Sequence, residues 1–405
     1  MLATIEKSSA NGTVYAPPSK SMAHRLLICA ALSMDTSTIK NVDYSEDILA
    51  TIDCLRAIGA KITVDGNMVT VVGVDPKNIS TETEVFCRES GSTLRFILPI
   101  LLLANKKCTL KGSNYLLKRP MSVYSEICNK KCLYYHHEND RITVCGPLTA
   151  GKFTIKGDIS SQFISGLLFT LPLLENDSTI NILPPVESRS YINMTIDALQ
   201  TFGVTVMWRS ADTLYIKGNQ KYVSKTVSVE GDYSNAAFYE AFNRIGGDIK
   251  ICGLKNDSLQ GDKVCFTLFD VLETDSPIID VSDCPDLAPI IITVAAMKNG
   301  ATLKGTKRLK MKESDRGVVM AAELKKFGAD ITVFEDEIVI NKKLLFTPTA
   351  QLDGHNDHRV VMSLAVISSV FCGEILGAQA VSKSFPDFFE KIKLLGIRVM
   401  LNEDK

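Results

Sequence analysis

Leu55-Arg56-Ala57-Ile58-Gly59-Ala60-Lys61-Ile62-Thr63-Val64, running on to Val69-Thr70-Val71-Val72-Gly73, reads as the end of a helix, a glycine, a short strand, a turn and a second strand. Glycine is expected just past a helix end because it enters the left-handed region without a Cβ clash. The same order returns at Leu199-Gln200-Thr201-Phe202-Gly203-Val204-Thr205-Val206 with Leu214-Tyr215-Ile216-Lys217-Gly218, and at Leu324-Lys325-Lys326-Phe327-Gly328-Ala329-Asp330-Ile331-Thr332-Val333 with Ile338-Val339-Ile340. Leu394-Leu395-Gly396-Ile397-Arg398-Val399-Met400 closes the chain with a last copy, and the segment around Cys132 is a degenerate one with cysteine in the glycine's place. Copies spaced roughly 70 residues or more apart are not solenoid repeats, whose periods run from about 20 to 50. They predict an α+β chain of repeated subdomains stacked into larger domains.

A second pattern lies between these copies. Pro17-Pro18-Ser19-Lys20-Ser21-Met22-Ala23-His24-Arg25 runs straight into Leu26, Leu27, Ile28, Ala30, Ala31 and Leu32. A helix that apolar is buried, so an arginine near its start needs a partner. The free N–H groups of the first turn, with Lys20, Ser21 and Arg25, suit a phosphate or carboxylate. Comparable clusters stand at Arg88-Glu89-Ser90-Gly91-Ser92-Thr93-Leu94-Arg95, Ser160-Ser161-Gln162, Lys312-Glu313-Ser314-Asp315-Arg316 and Asn356-Asp357-His358-Arg359. Five such helix starts point to one or two ligands carrying several negative charges.

Composition directs that reading to small anions. The 405 residues carry 45 basic and 46 acidic side chains, a formal charge of −1 without the basic excess of a chain that tracks nucleic acid. The length suits two large domains, and 45% hydrophobic residues suffice for cores without staples. No basic region followed by an apolar segment opens the chain, and the longest apolar stretches, Phe96 to Ala104 and Val360 to Phe371, fall short of the roughly 20 residues of a membrane span. Eleven cysteines, an odd set in core-like segments, fit reduced thiols in the cytoplasm. Cys128, Cys132, His136 and His137 could be read as a zinc site, but their place in the repeat puts the histidines on a strand, exposed. His24 is expected to pack or hydrogen-bond, and His355 carries no role.

Pro18-Ser19-Lys20-Ser21 with Arg25, Ser90-Gly91-Ser92-Thr93 with Arg95, Arg119-Pro120-Met121, Ser160-Ser161-Gln162-Phe163, Lys312 to Arg316, Asn356 to Arg359 and Lys383-Ser384-Phe385-Pro386-Asp387 stand in order along the chain. In that order they resemble the 5-enolpyruvylshikimate-3-phosphate synthases, an enolpyruvyl transferase family. The resemblance spans Pro17 to Phe389. It implies two globular domains, each of three βαβαββ repeats, joined by a two-crossing hinge: residues 1–17 with 226–405, and residues 18–225, with the site in the cleft between them. The implied reaction moves the enolpyruvyl group of phosphoenolpyruvate to the 5-hydroxyl of shikimate 3-phosphate and releases phosphate, with no cofactor and no metal. The chain is expected to work as a cytoplasmic monomer, without nucleic acid or membrane, and to close its domains on bound substrate.

The resemblance also implies roles. Lys20, Asp286, Lys312, Glu313 and His358 form the catalytic set, with Glu313 placed to move the proton at C3 and either Asp286 or Lys312 as base at the 5-hydroxyl. Shikimate 3-phosphate falls to Lys20, Ser21, Arg25, Ser160, Ser161, Gln162, Ser188, Tyr191, Asp286, Arg308 and Lys312. Phosphoenolpyruvate falls to Lys20, Gly91, Arg119, Gln162, Arg316, Arg359 and Lys383. Arginine's fork suits both phosphate and carboxylate. Two positions depart from the family: Glu89 stands where asparagine is commoner, and Arg308 where some members have asparagine. The sister transferase acting on UDP-N-acetylglucosamine usually carries a loop cysteine before its arginine-proline motif, whereas Ser113-Asn114-Tyr115-Leu116-Leu117-Lys118 leads into Arg119-Pro120 here without one. A noncatalytic phosphometabolite binder on the same fold would have no use for the Asp286, Lys312 and Glu313 set.

Overall fold

The structure, a computed structural model, describes residues 1–79 and 82–403. It divides into two compact units, Met1–Pro17 with Gly231–Lys405, and Pro18–Glu230.

Within Pro18–Glu230, three four-stranded sheets share one topology. In one, Thr83–Phe86 pairs parallel with Lys107–Lys111, which pairs antiparallel with Arg141–Cys145, whose far neighbour is Tyr134–His137. Parallel neighbours need a crossover, here the helix Gly91–Leu101, and the helix Ser122–Lys130 leads into the hairpin. The second sheet repeats this order with Lys152–Lys156, Ser178–Leu183, Thr213–Ile216 and Val206–Trp208, and with the helices Ser161–Thr170 and Arg189–Thr201.

The third sheet runs Thr226–Ser228, Thr36–Lys40, Met68–Val72, Lys61–Asp65, with the helices Lys20–Leu32 and Glu46–Ile58. Its first strand is supplied by the far end of the segment. Thr226, Val227 and Ser228 pair with Thr38, Ile39 and Lys40, and Val229 N–H donates to Lys40 O at 2.9 Å. The expected boundary stood at 225/226, and the division by contacts falls at 230/231. The backbone pairing holds the chain in this unit until Glu230.

The other unit is built from the same part. Ile278–Asp280, Ala301–Lys304, Glu337–Asn341 and Asp330–Val333 form one full copy around the helices Ala288–Met297 and Arg316–Lys325. Leu352–Asp353, Gly373–Leu376, Leu2–Glu6 and Arg398–Asn402 form another, in which Leu2–Glu6 takes the third place, between Gly373–Leu376 and Arg398–Asn402. The remaining sheet is reduced to the parallel pair Asn11–Tyr15 and Asp248–Cys252, beside the helix Tyr233–Arg244. Among the described residues, five four-stranded sheets therefore match the five copies in the sequence.

Each unit has its own apolar core, one containing Leu27, Ile52, Phe96 and Phe169, the other Phe238, Ile291, Leu324 and Val366. Fully burying such side chains contributes about 1.5–3 kcal/mol apiece. The repeat glycines take the left-handed conformation, with φ of 117° at Gly59 and 89° at Gly328, and Cys132 occupies the equivalent place at φ 54°. Cys132, His136 and His137 are exposed while Cys128 is buried, and among the described residues no three His, Cys, Asp or Glu side chains gather as a metal site would require. Among the described residues no helix is long and apolar enough to cross a membrane.

Candidate active site

All five polar clusters are helix N-termini with a side-chain cap. Ser19, Ser90, Ser160, Asp315 and Asp357 each accept from a first-turn backbone N–H, at 3.4 Å from Met22, 3.2 Å from Thr93, 3.3 Å from Gln162, 3.3 Å from Val318 and 2.9 Å from Arg359. A capped start fixes where the helix begins, and so where the side chains of its first turns project.

In Pro18–Glu230, Arg25 is 3% exposed. Its Nε donates to Thr195 Oγ1 at 2.9 Å, Nη1 to Ser21 O at 2.6 Å and Nη2 to Tyr191 O at 2.9 Å, and its guanidinium lies 5.4 Å from the Phe96 ring centroid. Burial lowers its pKa to about 10, which leaves it charged at neutral pH. Arg25 is the sixth residue of its helix, one turn deeper than the cluster suggested. Lys20 Nζ lies 2.8 Å from Asp47 Oδ2. His24 is buried and held neutral by burial, with Nδ1 2.7 Å from Thr51 Oγ1. Thr51 meets Thr93, and Thr93 donates to the Ser90 cap, each at 2.7 Å. That chain ties two of the helix starts together and gives His24 the structural place expected of it.

A second group lies on the Gly91 helix start. Arg95 Nη1 donates to Gln162 Oε1 at 2.6 Å, and Gln162 Nε2 donates to Ser92 Oγ at 2.9 Å, so the amide is oriented from both ends. A Cβ on Gly91 would stand 2.8 Å from Arg119 Nη1 and 3.4 Å from Arg95 Nη1. Glycine thus lets a guanidinium come up against the backbone N–H groups of the helix start. Ser160 and Ser161 open the next helix, with Ser161 buried. Ser188, 2% exposed, precedes the Arg189 helix at φ 53° and ψ 41°, a left-handed conformation costly for a serine, and so a mark of a constrained site.

In the other unit, Arg316 is the hub. Its Nε donates to Asp357 Oδ2, Nη1 to Asp286 Oδ1 and Nη2 to Glu313 Oε2, each at 2.8 Å, and Ser314 Oγ donates to Asp357 Oδ2 at 3.1 Å. Asp286 also receives Lys312 Nζ at 3.2 Å and faces Arg359 Nη2 at 3.5 Å. Burial alone would raise the Asp286 carboxyl. Arg359, Lys312 and Arg316 outweigh it and hold the group well below the usual carboxylate range. Burial lowers the pKa of Lys312, and Arg316 and Arg308 act in the same direction against the attraction of Asp286. Burial opposes the Arg316 charge, but Asp357, Glu313 and Asp286 more than offset it and push its pKa up. Arg308 Nη2 donates to Ser282 O at 2.5 Å, and Lys383 Nζ to Asn356 O at 2.6 Å. His358 is buried, with Nδ1 4.0 Å from Asp357 Oδ1, while His355 lies outside the cluster, 3.1 Å from Glu323.

The EPSP synthase (3-phosphoshikimate 1-carboxyvinyltransferase) family model matches residues 5–274 and 272–392. The chain belongs to the EPSP synthase family. The 3-phosphoshikimate 1-carboxyvinyltransferase of Clostridium perfringens (strain SM101 / Type A) is 40% identical over 96% of this chain and 97% of its own. That of Clostridium kluyveri is 39% identical, with 97% of each covered. Among solved structures, an EPSP synthase from Acinetobacter baumannii superposes with a TM-score of 0.79 at 23% identity, covering 99% of this chain and 100% of that one, a likeness of fold.

Within this EPSP synthase fold, each unit brings its share of the expected residues together. Lys20, Ser21 and Arg25 share one helix start, Gly91, Arg119 and Gln162 another neighbourhood, and Asp286, Lys312, Glu313, Arg316 and Arg359 a third. Supporting residues escaped the sequence reading. Thr195 holds Arg25, Asp47 holds Lys20, and Arg95 orients Gln162. Only Arg95 had a signal, since it closes a cluster already noted. Thr195 and Asp47 sit in ordinary helical sequence and reach their partners through tertiary packing.

Proposed function

We infer that this protein transfers the enolpyruvyl group of phosphoenolpyruvate to the 5-hydroxyl of shikimate 3-phosphate, releasing phosphate, a step in the pathway to chorismate and the aromatic amino acids. The observation that carries this reading, beside membership of the family, is the Arg316 hub, where two carboxylates and a lysine suited to proton transfer share one set of cations.

Lys20, Ser21, Arg25, Ser160, Ser161, Gln162, Ser188, Tyr191 and Arg308 hold shikimate 3-phosphate, with Arg25 charged and fixed before the phosphate arrives. Lys20, Gly91, Arg119, Gln162, Arg316, Arg359 and Lys383 hold the phosphate and carboxylate of phosphoenolpyruvate. The 5-hydroxyl oxygen attacks C2 of the enol as its proton leaves toward the Asp286 and Lys312 pair. Asp286, strongly biased to the carboxylate, orients the hydroxyl, and Lys312, lowered by burial, takes the proton. Glu313 delivers a proton to C3, making a methyl group, and His358 acts beside it. The tetrahedral intermediate then loses a methyl proton back to Glu313 as the C2–O bond to phosphate breaks, and the departing phosphate takes up the proton held at Lys312. The surrounding cations stabilise the anionic oxygens throughout. The chain acts as a monomer in the cytoplasm, a setting that fits its eleven free cysteines.

The test is release of inorganic phosphate from phosphoenolpyruvate. Release that requires shikimate 3-phosphate, is absent with UDP-N-acetylglucosamine and survives EDTA is expected. Release with the nucleotide sugar alone, or loss in EDTA restored by a metal, overturns the reading.

A further inference from the structure

Glu323 takes no part in the scheme above, yet it is only 3% exposed and lies on the Arg316–Lys325 helix, seven residues after Arg316. Seven residues make about two turns, so the two side chains share the buried face of that helix. Glu323 Oε2 accepts from Asp353 N–H at 2.9 Å, and Oε1 lies 3.1 Å from His355 Nε2. Lys326 Nζ donates to both Glu323 oxygens, at 2.9 and 2.8 Å, and to Gln351 O at 2.8 Å. Glu323 and Lys326 thus tie the end of this helix to residues 351, 353 and 355.

The segment so held leads straight into the Asp357 helix start. His355 and Asn356 have φ of 48° and 53°, two consecutive non-glycine residues in the left-handed region. Such backbone persists only where its surroundings over-determine it. Before the turn stand Glu323 and Asp353, whose Oδ1 accepts from His355 N–H at 2.7 Å. After it stands Asp357, which accepts from Arg316 Nε at 2.8 Å. One helix therefore grips the turn from both sides, with Arg316 at its start and Glu323 near its end. Between the two grips, the Asn356 carbonyl accepts from Lys383 Nζ at 2.6 Å. The turn sets the direction of that carbonyl, and the carbonyl sets the place of the Lys383 ammonium.

We propose that Glu323 is a positioning residue for phosphoenolpyruvate: it holds the left-handed turn whose Asn356 carbonyl aims the Lys383 ammonium at the substrate anion. The inference rests on the reading that Lys383 receives phosphoenolpyruvate. Glu323 acts through the turn and touches no substrate. Without it the turn relaxes, and an ammonium on a flexible four-carbon stem holds its anion for less of the time. His355, to which the motif gives no role, is the other half of the clamp.

The experiment measures kcat and both KM values by phosphate release in wild type, Glu323→Ala, Glu323→Gln and His355→Asn, at a temperature below every melting transition. In Glu323→Ala the KM for phosphoenolpyruvate should rise roughly 10-fold, the low end of what losing one charge-assisted contact costs, while that for shikimate 3-phosphate stays within about twofold of wild type. Glu323→Gln keeps an acceptor for Asp353 N–H and a partner for His355, so both KM values should return close to wild type. A merely structural carboxyl would lower melting and leave the ratio of the two KM values unchanged, and an unchanged ratio in Glu323→Ala overturns the proposal. Glu323→Gln as impaired as Glu323→Ala overturns it too, because the clamp is made of hydrogen bonds. Should Glu323→Ala lose its cooperative melt, His355→Asn decides. Asparagine tolerates the left-handed conformation but does not extend as far as the histidine Nε2, so the KM for phosphoenolpyruvate alone should rise roughly threefold, the scale of one hydrogen bond. An unmoved ratio there overturns the proposal equally. Wild type without turnover overturns the functional reading and this inference with it, whereas turnover with unmoved ratios overturns this inference alone.

Discussion

Arg316 Nε lies 2.8 Å from Asp357 Oδ2, and neither side chain is more than 1% exposed. Asp357 caps the next helix with its other oxygen, so one carboxylate sets both the Arg316 guanidinium and the start of His358–Phe371.

Arg316→Ala should therefore cost more than an ordinary cation. It takes the guanidinium from the fully buried Asp357 and one cation each from Asp286 and Glu313, and breaking a buried pair from one side costs about 3–5 kcal/mol. Urea unfolding at pH 7 should show that loss. At pH 5 the loss should shrink, because stranded buried carboxylates protonate more readily.

Glu313→Gln preserves size and an acceptor for Arg316 while removing the proton at issue. The turnover number should fall roughly 100-fold or more, with little change in KM for either substrate. Steady-state rates decide it, and near-normal kcat removes Glu313 from the scheme.

Arg25→Ala removes a charge held on three sides within its unit. Affinity for shikimate 3-phosphate should weaken by roughly 1.5–3 kcal/mol, and melting should fall as well, since Thr195 and two carbonyls lose their donor. Titration calorimetry separates this from Ser21→Ala, which should weaken binding and leave melting nearly unchanged.

Stability should respond to pH in two opposite senses. Asp286 has a lowered pKa, so its contribution is complete above about pH 4 and is lost as pH falls through its folded value. Asp262 has a raised one, so its contribution is complete below about pH 4 and is lost as pH rises through about 6. Chemical denaturation across pH 3 to 8 should show Asp286→Asn converging on wild type in acid, and Asp262→Asn converging on it below about pH 4.

Cys132→Gly should stabilise the protein. Cys132 holds φ 54° where the other copies place glycine, and a left-handed non-glycine residue costs about 1–2 kcal/mol. The melting temperature should rise, and labelling by Ellman's reagent should lose a fast phase, since Cys132 is exposed.

Local chemistry was what the sequence made legible. The five capped helix starts and the left-handed glycines depend on neighbours within a few residues, so Ser19, Ser90, Ser160, Asp315 and Asp357 announced their helices directly. Pairings distant along the chain were not legible. Thr226–Ser228 joins Thr36–Lys40 across nearly the whole inserted segment, and the expected boundary fell short of it. Asp262 lies in a stretch that carried no motif. It is nonetheless buried, its carboxyl accepting from Ser234 on the Tyr233–Arg244 helix.

The strand Leu2–Glu6 pairs with Gly373–Leu376 and Arg398–Asn402, while every strand of Pro18–Glu230 finds its partners inside that segment. On the ribosome the inner segment has all its sheets available once Glu230 has emerged. The sheet that holds Leu2–Glu6 must wait until Arg398–Asn402 has been made. Deleting Arg398–Asn402 should therefore spare the folding of Pro18–Glu230 and leave Leu2–Glu6 as an open edge, paired only with Gly373–Leu376.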